Sequence, residues 1–161
     1  MRRKINMNNA VNENPVACFT EKWQSLGHMY EEYAKSKGLT YMSFIVLEAI
    51  YKHPAYCMQK LICEQTLYTK QSVNAIIKTF WRQGDVELKE EETDRRNKRI
   101  LFTEKGQKYA DEIIGKFSAV EYEAMGHLSG EQWRLLIEMA DTFSTHFISG
   151  LICLIQSAER R

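Results

Sequence analysis

The chain has 161 residues, of which 44% are hydrophobic and 27% are charged. This composition is typical of a globular protein with its own core and argues against disorder. No apolar run approaches the roughly 18 residues that a membrane-spanning helix needs, and the basic N-terminus lacks the apolar stretch of a signal peptide. We therefore expect a cytoplasmic protein with no membrane partner.

The formal net charge is only +1, but the charges are unevenly distributed. Residues 69–108 carry ten Lys and Arg against seven Asp and Glu, whereas residues 109–161 carry four against eight. Within residues 95–108, six cations accompany a single acid. A cationic middle segment of this kind indicates a local surface for an anionic partner.

The first of six predicted helices lies within residues 15–38 and follows an Asn-rich segment, residues 1–14, that we expect to be flexible. Its apolar side chains recur at steps of three and four residues: Phe19, Trp23, Leu26 and Tyr30. Lys37-Gly38 ends this helix. Thr40 is positioned to cap a second helix, which is apolar nearly all round and is therefore predicted to lie at the centre of the core.

A short third helix is predicted from about Met58 to Gln65, and Thr69 is positioned to cap a fourth. Gly84 is placed to end the fourth helix. One face of the fourth helix is an apolar stripe: Val73, Ile76, Ile77 and Phe80. Its opposite face is polar: Lys70, Gln71, Asn74 and Lys78. The fourth helix is therefore predicted to pack by one face and to present the other.

Two short strands, Val86 to Lys89 and Arg99 to Phe102, are predicted to form a hairpin whose charged tip runs from about Glu90 to Lys98. Thr103 caps a fifth helix, and Ser129 with Gln132 forms a capping box for a sixth. The sixth helix carries an apolar stripe: Leu136, Met139, Phe143, Phe147, Leu151 and Leu154. The predicted fold class is mainly α (α+β), with six helices and one β-hairpin.

The hairpin carries a family signature. Asp94-Arg95-Arg96, followed by Arg99 to Gly106, closely resembles the wing of the MarR family of bacterial transcription regulators, which reads roughly D-R-R, a short strand and L-T-x-x-G. Phe102 stands where that family usually has Leu. The run from Lys70 to Asn74 resembles the start of the family's recognition helix. The resemblance covers nearly the whole chain, since long helices also flank the winged core in that family.

The resemblance implies a winged helix-turn-helix core at residues 39–103, with dimerisation helices at residues 15–38 and 104–161. It implies a homodimer that binds double-stranded DNA at a palindromic operator. It further implies regulation of neighbouring genes, with repression expected, and release by a small aromatic ligand or by thiol oxidation. The sequence does not identify the operator, the regulated genes or the inducer.

A recognition helix places the side chains near its N-terminus against base edges in the major groove. Gln71 and Asn74 can each donate and accept hydrogen bonds, so either can pair with adenine. Lys70 can reach guanine or phosphate, and Lys78 is better placed for the backbone. The residues of this helix predicted to bind DNA are Thr69, Lys70, Gln71, Asn74 and Lys78. A solvated helix face is the simpler alternative.

At the hairpin tip, Arg96 is the candidate for contact with the minor groove, because a long planar cation suits that narrow, negative groove. The family resemblance implies that Asp94 pairs with this arginine and orients it. Arg95 and Lys98 are expected to contact phosphates. The acidic run Glu90 to Glu92 departs from the family's usually basic wing: these carboxylates either weaken binding, or neutralise Arg95 and Lys98 in the free protein, or point away from DNA.

Two further sets of residues are weaker candidates. Four aromatic residues are candidates to line a ligand cavity, although core packing explains them more simply: Trp23, Tyr30, Tyr41 and Phe44. Cys18, near the start of the first helix, is similar in position to the reactive cysteine of the family's peroxide-sensing branch. A buried structural cysteine is the simpler interpretation of Cys18.

Three functions remain open: a dimeric operator-binding regulator, a winged-helix module that binds protein without an operator, and a thiol-based peroxide sensor that uses Cys18. No nucleophile motif, Gly-rich phosphate loop or pair of catalytic carboxylates is present, so we expect neither an enzyme nor a cofactor. The four cysteines and four histidines lack ligand spacing, so no metal site is expected.

Overall fold

The computed structural model describes residues 14–90 and 98–159. The predicted flexible segment therefore lies almost wholly outside the described residues, and so do Asp94, Arg95, Arg96 and the acids Glu91 and Glu92. The chain divides into two compact units, an N-terminal unit (Met1–Ile114) and a C-terminal unit (Gly115–Arg161).

The N-terminal unit contains five α-helices and three strands among its described residues. In chain order they are α1 (Pro15–Ser36), α2 (Tyr41–Lys52), β1 (Cys57–Met58), α3 (Gln59–Thr66), α4 (Lys70–Gln83), β2 (Val86–Glu90), β3 (Lys98–Phe102) and α5 (Glu104–Ala110). A π-helical turn (Asp111–Gly115) follows α5 and ends at the first residue of the C-terminal unit. The C-terminal unit contains α6 (Lys116–Gly126) and α7 (Gly130–Glu159). The mainly helical fold with a β-hairpin is confirmed.

The predicted helix caps are present. Thr40 Oγ1 accepts a hydrogen bond from the Ser43 N–H at 3.1 Å, and Thr69 Oγ1 accepts one from the Ser72 N–H at 3.2 Å. Gly84 takes a left-handed conformation (φ 74°) at the end of α4, as its position predicted. The capping box before α7 is also confirmed by its two reciprocal hydrogen bonds: the Ser129 N–H to Gln132 Oε1 at 2.8 Å, and the Gln132 N–H to Ser129 Oγ at 3.2 Å.

The helix α2 lies at the centre of the core, as its nearly continuous apolar sequence predicted. Five of its side chains are buried: Phe44, Val46, Leu47, Ala49 and Ile50. The α4 stripe packs into the same core through Val73, Ile77 and Phe80. Val86 and Ile100 bring the wing strands onto it. The core therefore fixes α4 by one face and leaves its polar face exposed.

Two features of the fold were not predicted. The hairpin belongs to a three-stranded antiparallel sheet of order β1-β3-β2, in which Cys57 pairs with Ile100 and Met58 with Arg99. A two-residue strand is too short to produce a detectable alternation of side chains. The π-helical turn divides the predicted fifth helix into α5 and α6, and it is accompanied by a hydrogen bond from the Tyr33 hydroxyl to the Ile113 carbonyl at 2.8 Å.

In the C-terminal unit, the predicted apolar stripe of α7 is exposed along its whole length in the single chain. Its members are Leu136, Met139, Phe143, Phe147, Leu151 and Leu154. The rings of Phe143 and Phe147 stack on each other with centroids 5.5 Å apart. No helix among residues 14–90 and 98–159 is both long and apolar enough to cross a membrane.

The wing is attached to α4 at a backbone junction that we call the wing joint: Gly84, Asp85, Thr103 and Gly106. The Thr103 hydroxyl donates to the Gly84 carbonyl at 2.7 Å and accepts from the Gly106 N–H at 3.0 Å. The Thr103 N–H donates to the Asp85 carbonyl at 3.1 Å. A Cβ atom on Gly106 would overlap that same carbonyl group, so the close approach requires glycine.

We predict that Gly106→Ala lowers the free energy of unfolding by at least about 2 kcal/mol, because the backbone of the joint must move to admit the methyl group. Urea denaturation followed by circular dichroism would measure this. The matched control is Gly126→Ala, since a Cβ there meets nothing within 4 Å. An unchanged midpoint for Gly106→Ala would show that the joint is not as tight as described.

Candidate nucleic-acid interface

The exposed face of α4 begins directly at its cap. Lys70, Gln71, Asn74 and Lys78 are all exposed, as is Thr69. The Thr69 side chain accepts a hydrogen bond from the Ser72 N–H. The other N–H groups in the first turn of a helix have no partner within the helix, so they can bind a phosphate. The five residues predicted on this helix therefore lie together at one solvent-facing surface.

The start of α4 is fastened to α3. The Gln59 side-chain amide donates to the Lys70 carbonyl at 2.7 Å, which links the first residue of α3 to the first residue of α4. Gln59 was not among the predicted site residues, because a polar residue at the start of a short helix carries no local signal of a long-range contact.

A cavity of about 390 Å³ opens between α3, α4 and the wing strands. Three of the predicted DNA-binding residues line it: Lys70, Asn74 and Lys98. Gln59, Lys60 and Cys63 also line it, and its apolar part consists of Met58, Ile77, Leu88 and Ile100. The structure thus brings the recognition-helix residues and the wing cation Lys98 to one concave, cationic surface.

The wing stem carries its own acid beside its cation. Glu90 and Lys98 are directly paired across β2 and β3, with Lys98 Nζ 3.5 Å from Glu90 Oε1. On the same strand, Lys89 Nζ lies 3.0 Å from Glu87 Oε1. Of the three alternatives for the acidic run, the Glu90 geometry favours neutralisation of Lys98 in the free protein. Glu91 and Glu92 lie outside the described residues.

Part of the cationic segment serves the fold. Lys105 Nζ donates to the Gln83 carbonyl at 2.6 Å and lies 2.7 Å from Asp85 Oδ1. Asp85 is only 5% exposed, so Lys105 compensates a nearly buried carboxylate at the wing joint. Lys108 pairs with Glu104 at 2.7 Å on α5. The number of cations in residues 95–108 therefore overstates the charge available to a partner.

The four aromatic ligand candidates are differently placed. Phe44 is fully buried, and Tyr30 contacts its ring edge-on with centroids 6.5 Å apart. Trp23 is 67% exposed and stacks on Phe19, and Tyr41 is exposed in the first turn of α2. Core packing accounts for Phe44 and Tyr30. None of the four lines the cavity beside α4.

The cysteines differ in environment. Burial raises the pKa of the Cys57 thiol to about 12, so this group is not a reactive thiolate at neutral pH. Cys18 is half-buried in the first turn of α1, where its N–H donates to the Asn14 carbonyl at 3.1 Å. Within the described part of the chain, no group of three or more His, Cys, Asp and Glu is arranged to hold a metal ion.

Helices α3 and α4, the turn between them and the antiparallel hairpin that follows define a winged helix-turn-helix. Residues 37–97 match the family model described as MarR family. Members of that family are transcription regulators rather than enzymes. No curated protein sequence gives a significant match.

Solved structures show that the similarity extends over most of the chain. NMB1585, a MarR family regulator from Neisseria meningitidis, aligns with a TM-score of 0.70 at 22% identity, over 86% of this chain and 96% of that one. CouR from Rhodococcus jostii RHA1, bound to p-coumaroyl-CoA, aligns with a TM-score of 0.63 at 16% identity, over 83% and 92%. The S. aureus MepR–DNA complex gives 0.62 at 18%, over 79% and 97%.

Proposed function

We propose that the chain is a sequence-specific DNA-binding transcription regulator that acts as a homodimer on a palindromic operator, with repression as its expected effect. One observation carries the proposal. The polar face of α4 is exposed while Val73, Ile77 and Phe80 anchor its other face in the core. A helix held in this way is already ordered before a partner binds, so binding costs little conformational entropy of its backbone.

The chemistry of that face suits duplex DNA. Asn74 and Gln71 can read base edges by paired donor and acceptor groups, and Lys70 and Lys78 can contact guanine or phosphate. Lys98 lines the same cavity as Lys70 and Asn74, so the wing stem adds a cation on the same side of the unit. Arg95 and Arg96 would extend this contact, with Asp94 orienting Arg96. MepR, which shares the fold, has been solved with DNA.

The exposed apolar stripes support dimerisation. Trp23, Leu26 and Phe19 on α1 are exposed, as is the whole α7 stripe. Large continuous apolar surfaces are rare on monomeric proteins and typically mark interfaces. A second copy of the chain is the occupant proposed here, because twofold symmetry would present two α4 faces to a palindrome.

Release by a small molecule is a further part of the proposal. CouR has been solved with p-coumaroyl-CoA, an aromatic thioester. In this chain, the cavity beside α4 joins an apolar floor to Lys60, Lys70 and Lys98. An aromatic anion bound there would occupy the surface proposed for DNA, so the two would compete. Release by oxidation of Cys18 remains a separate proposal.

The alternative function, a winged-helix module that binds protein through its acidic hairpin, has less support. Glu90 is already paired with Lys98, so part of the acidic surface is neutralised within the chain. Arg96→Glu separates the two readings: it would abolish operator binding, whereas protein binding through the acidic residues would persist.

We predict that Asn74→Ala weakens binding to the operator by about 1–3 kcal/mol and leaves binding to scrambled duplex unchanged.

We predict that Lys98→Gln weakens binding to the operator and to scrambled duplex alike. It should also lower the number of counterions released on binding by about one. Fluorescence anisotropy with the chain's own upstream DNA, at several salt concentrations, measures the effects of both variants. The same assay with an added aromatic carboxylate tests whether a small anion competes with DNA. Lys108→Gln is the control, since Lys108 is paired on α5. Equal wild-type affinity for operator and scrambled DNA would contradict the proposal.

We predict that Glu90→Gln strengthens DNA binding about two- to fivefold, because it frees Lys98 and removes a negative charge facing the phosphates. Stability should change by less than about 1 kcal/mol, as for other exposed ion pairs. Glu104→Gln removes the same charge on α5 and serves as the control for net charge. Weaker binding by Glu90→Gln would show that its carboxylate supports the wing instead.

We predict that Leu151→Glu converts the dimer to a monomer, because it places a charge in the α7 stripe, and that it abolishes binding to the palindrome. Sedimentation velocity gives the oligomeric state. Ser149→Glu introduces the same charge about 200° around the helix and should remain dimeric. If wild type sediments as a monomer at micromolar concentration, the proposed assembly is wrong.

A further inference from the structure

Leu67, in the turn between α3 and α4, combines two unfavourable features. Its side chain is 89% exposed, the highest value among the large hydrophobic residues found exposed in the described parts of the chain. Its backbone is left-handed (φ 58°, ψ 16°), and no other non-glycine residue in 14–90 or 98–159 has a positive φ. A left-handed conformation is unfavourable for a branched apolar residue and much less so for glycine or asparagine.

The turn is fixed on both sides of Leu67. The Leu67 N–H donates to the Cys63 carbonyl at 2.9 Å. The Thr66 hydroxyl donates to the Ile62 carbonyl at 2.7 Å and accepts from the Tyr68 N–H at 3.3 Å. The backbone is therefore held in this conformation by its neighbours, and the Leu67 side chain is kept in solvent.

The position of Leu67 connects it with the proposed DNA interface. It lies two residues before the cap Thr69 and three before Lys70, the first residue of α4. With the N-terminus of α4 in the major groove, the turn before it lies along the edge of that groove. The apolar groups of DNA at that edge are the thymine 5-methyl group and the deoxyribose carbons. Strained residues held by their surroundings occur preferentially at functional sites.

We propose that Leu67 is a DNA-contact residue that packs its side chain against an apolar group of the duplex. This inference rests on the proposed function, because it requires α4 to bind DNA. On binding, Leu67 would lose its exposed apolar surface to the duplex and exclude water from the edge of the groove. The contact involves no charge and releases no counterion, so its contribution is independent of salt.

The test compares Leu67→Asn with Leu67→Met on the upstream duplex. Asparagine is nearly the same size as leucine and tolerates the left-handed backbone, but its side chain is polar. Methionine has an apolar side chain that is long enough to make the same contact. We expect Leu67→Asn to bind about fivefold more weakly at every salt concentration with an unchanged salt slope. Its melting temperature should be unchanged or about 1–2 °C higher. Leu67→Met should bind like wild type.

A second arm identifies the apolar group. A duplex with uracil in place of thymine lacks the 5-methyl groups. If wild type loses affinity on it while Leu67→Asn does not, the contact is to a thymine methyl. If the uracil duplex changes nothing and Leu67→Asn remains weaker, the contact is to deoxyribose. Either result supports the proposal.

Three results would overturn the inference. Equal binding by wild type and Leu67→Asn would remove Leu67 from the interface while leaving the proposed function intact. A loss of affinity accompanied by a smaller salt slope or a lower melting temperature would assign Leu67 a structural role in placing Lys70. If wild type binds no duplex, the proposed function fails and the inference fails with it.

Discussion

The backbone contact between Gly106 and the Asp85 carbonyl is the constraint on which the rest of the N-terminal unit depends. It brings the start of α5 against the end of α4, and the Thr103 hydroxyl joins the two by its bonds to Gly84 and Gly106. The strand β2 begins directly after Asp85 and β3 ends directly before Thr103, so both wing strands are anchored at this joint. Its geometry therefore sets where Lys98 lies relative to Lys70 and Asn74.

The ion pairs at the wing joint and at the wing stem have different roles. Asp85 is nearly buried and Lys105 neutralises it, and the same lysine also donates a hydrogen bond to the Gln83 carbonyl at the end of α4. A nearly buried carboxylate without such a partner would destabilise the fold. At the wing stem, by contrast, the pair of Glu90 and Lys98 is exposed and adds little to stability, so it is available to modulate binding.

Much of the fold follows from local signals in the sequence. Thr40, Thr69 and Ser129 mark helix starts, Gly84 marks an end, and the apolar repeat of α4 indicates which face is buried. These signals are strong because capping and periodicity act over a few residues. They also located the exposed face of α4, since the polar residues at steps of four lie opposite a stripe that had to be buried.

Other features depend on contacts between distant residues and leave no local pattern. The strand β1 exists only because Cys57 and Met58 meet Ile100 and Arg99. In the sequence, Lys105 is one more cation of the basic segment, and only the folded structure shows that it pairs with Asp85. The conformation of Leu67 is set by its own hydrogen bond to the Cys63 carbonyl and by the hydrogen bond from Thr66 to the Ile62 carbonyl, and a leucine in a turn does not indicate either contact.

The short strand β1 has a mechanical consequence. Met58 is both its last residue and the residue at the N-cap position of α3, so no linker separates β1 from α3. A force applied to β3 is transmitted through two ladder pairs directly to the axis of α3, and through Gln59 to the first turn of α4. The hairpin stem is therefore coupled to the helix pair, and a displacement of the stem would also shift α4, the helix proposed to contact DNA.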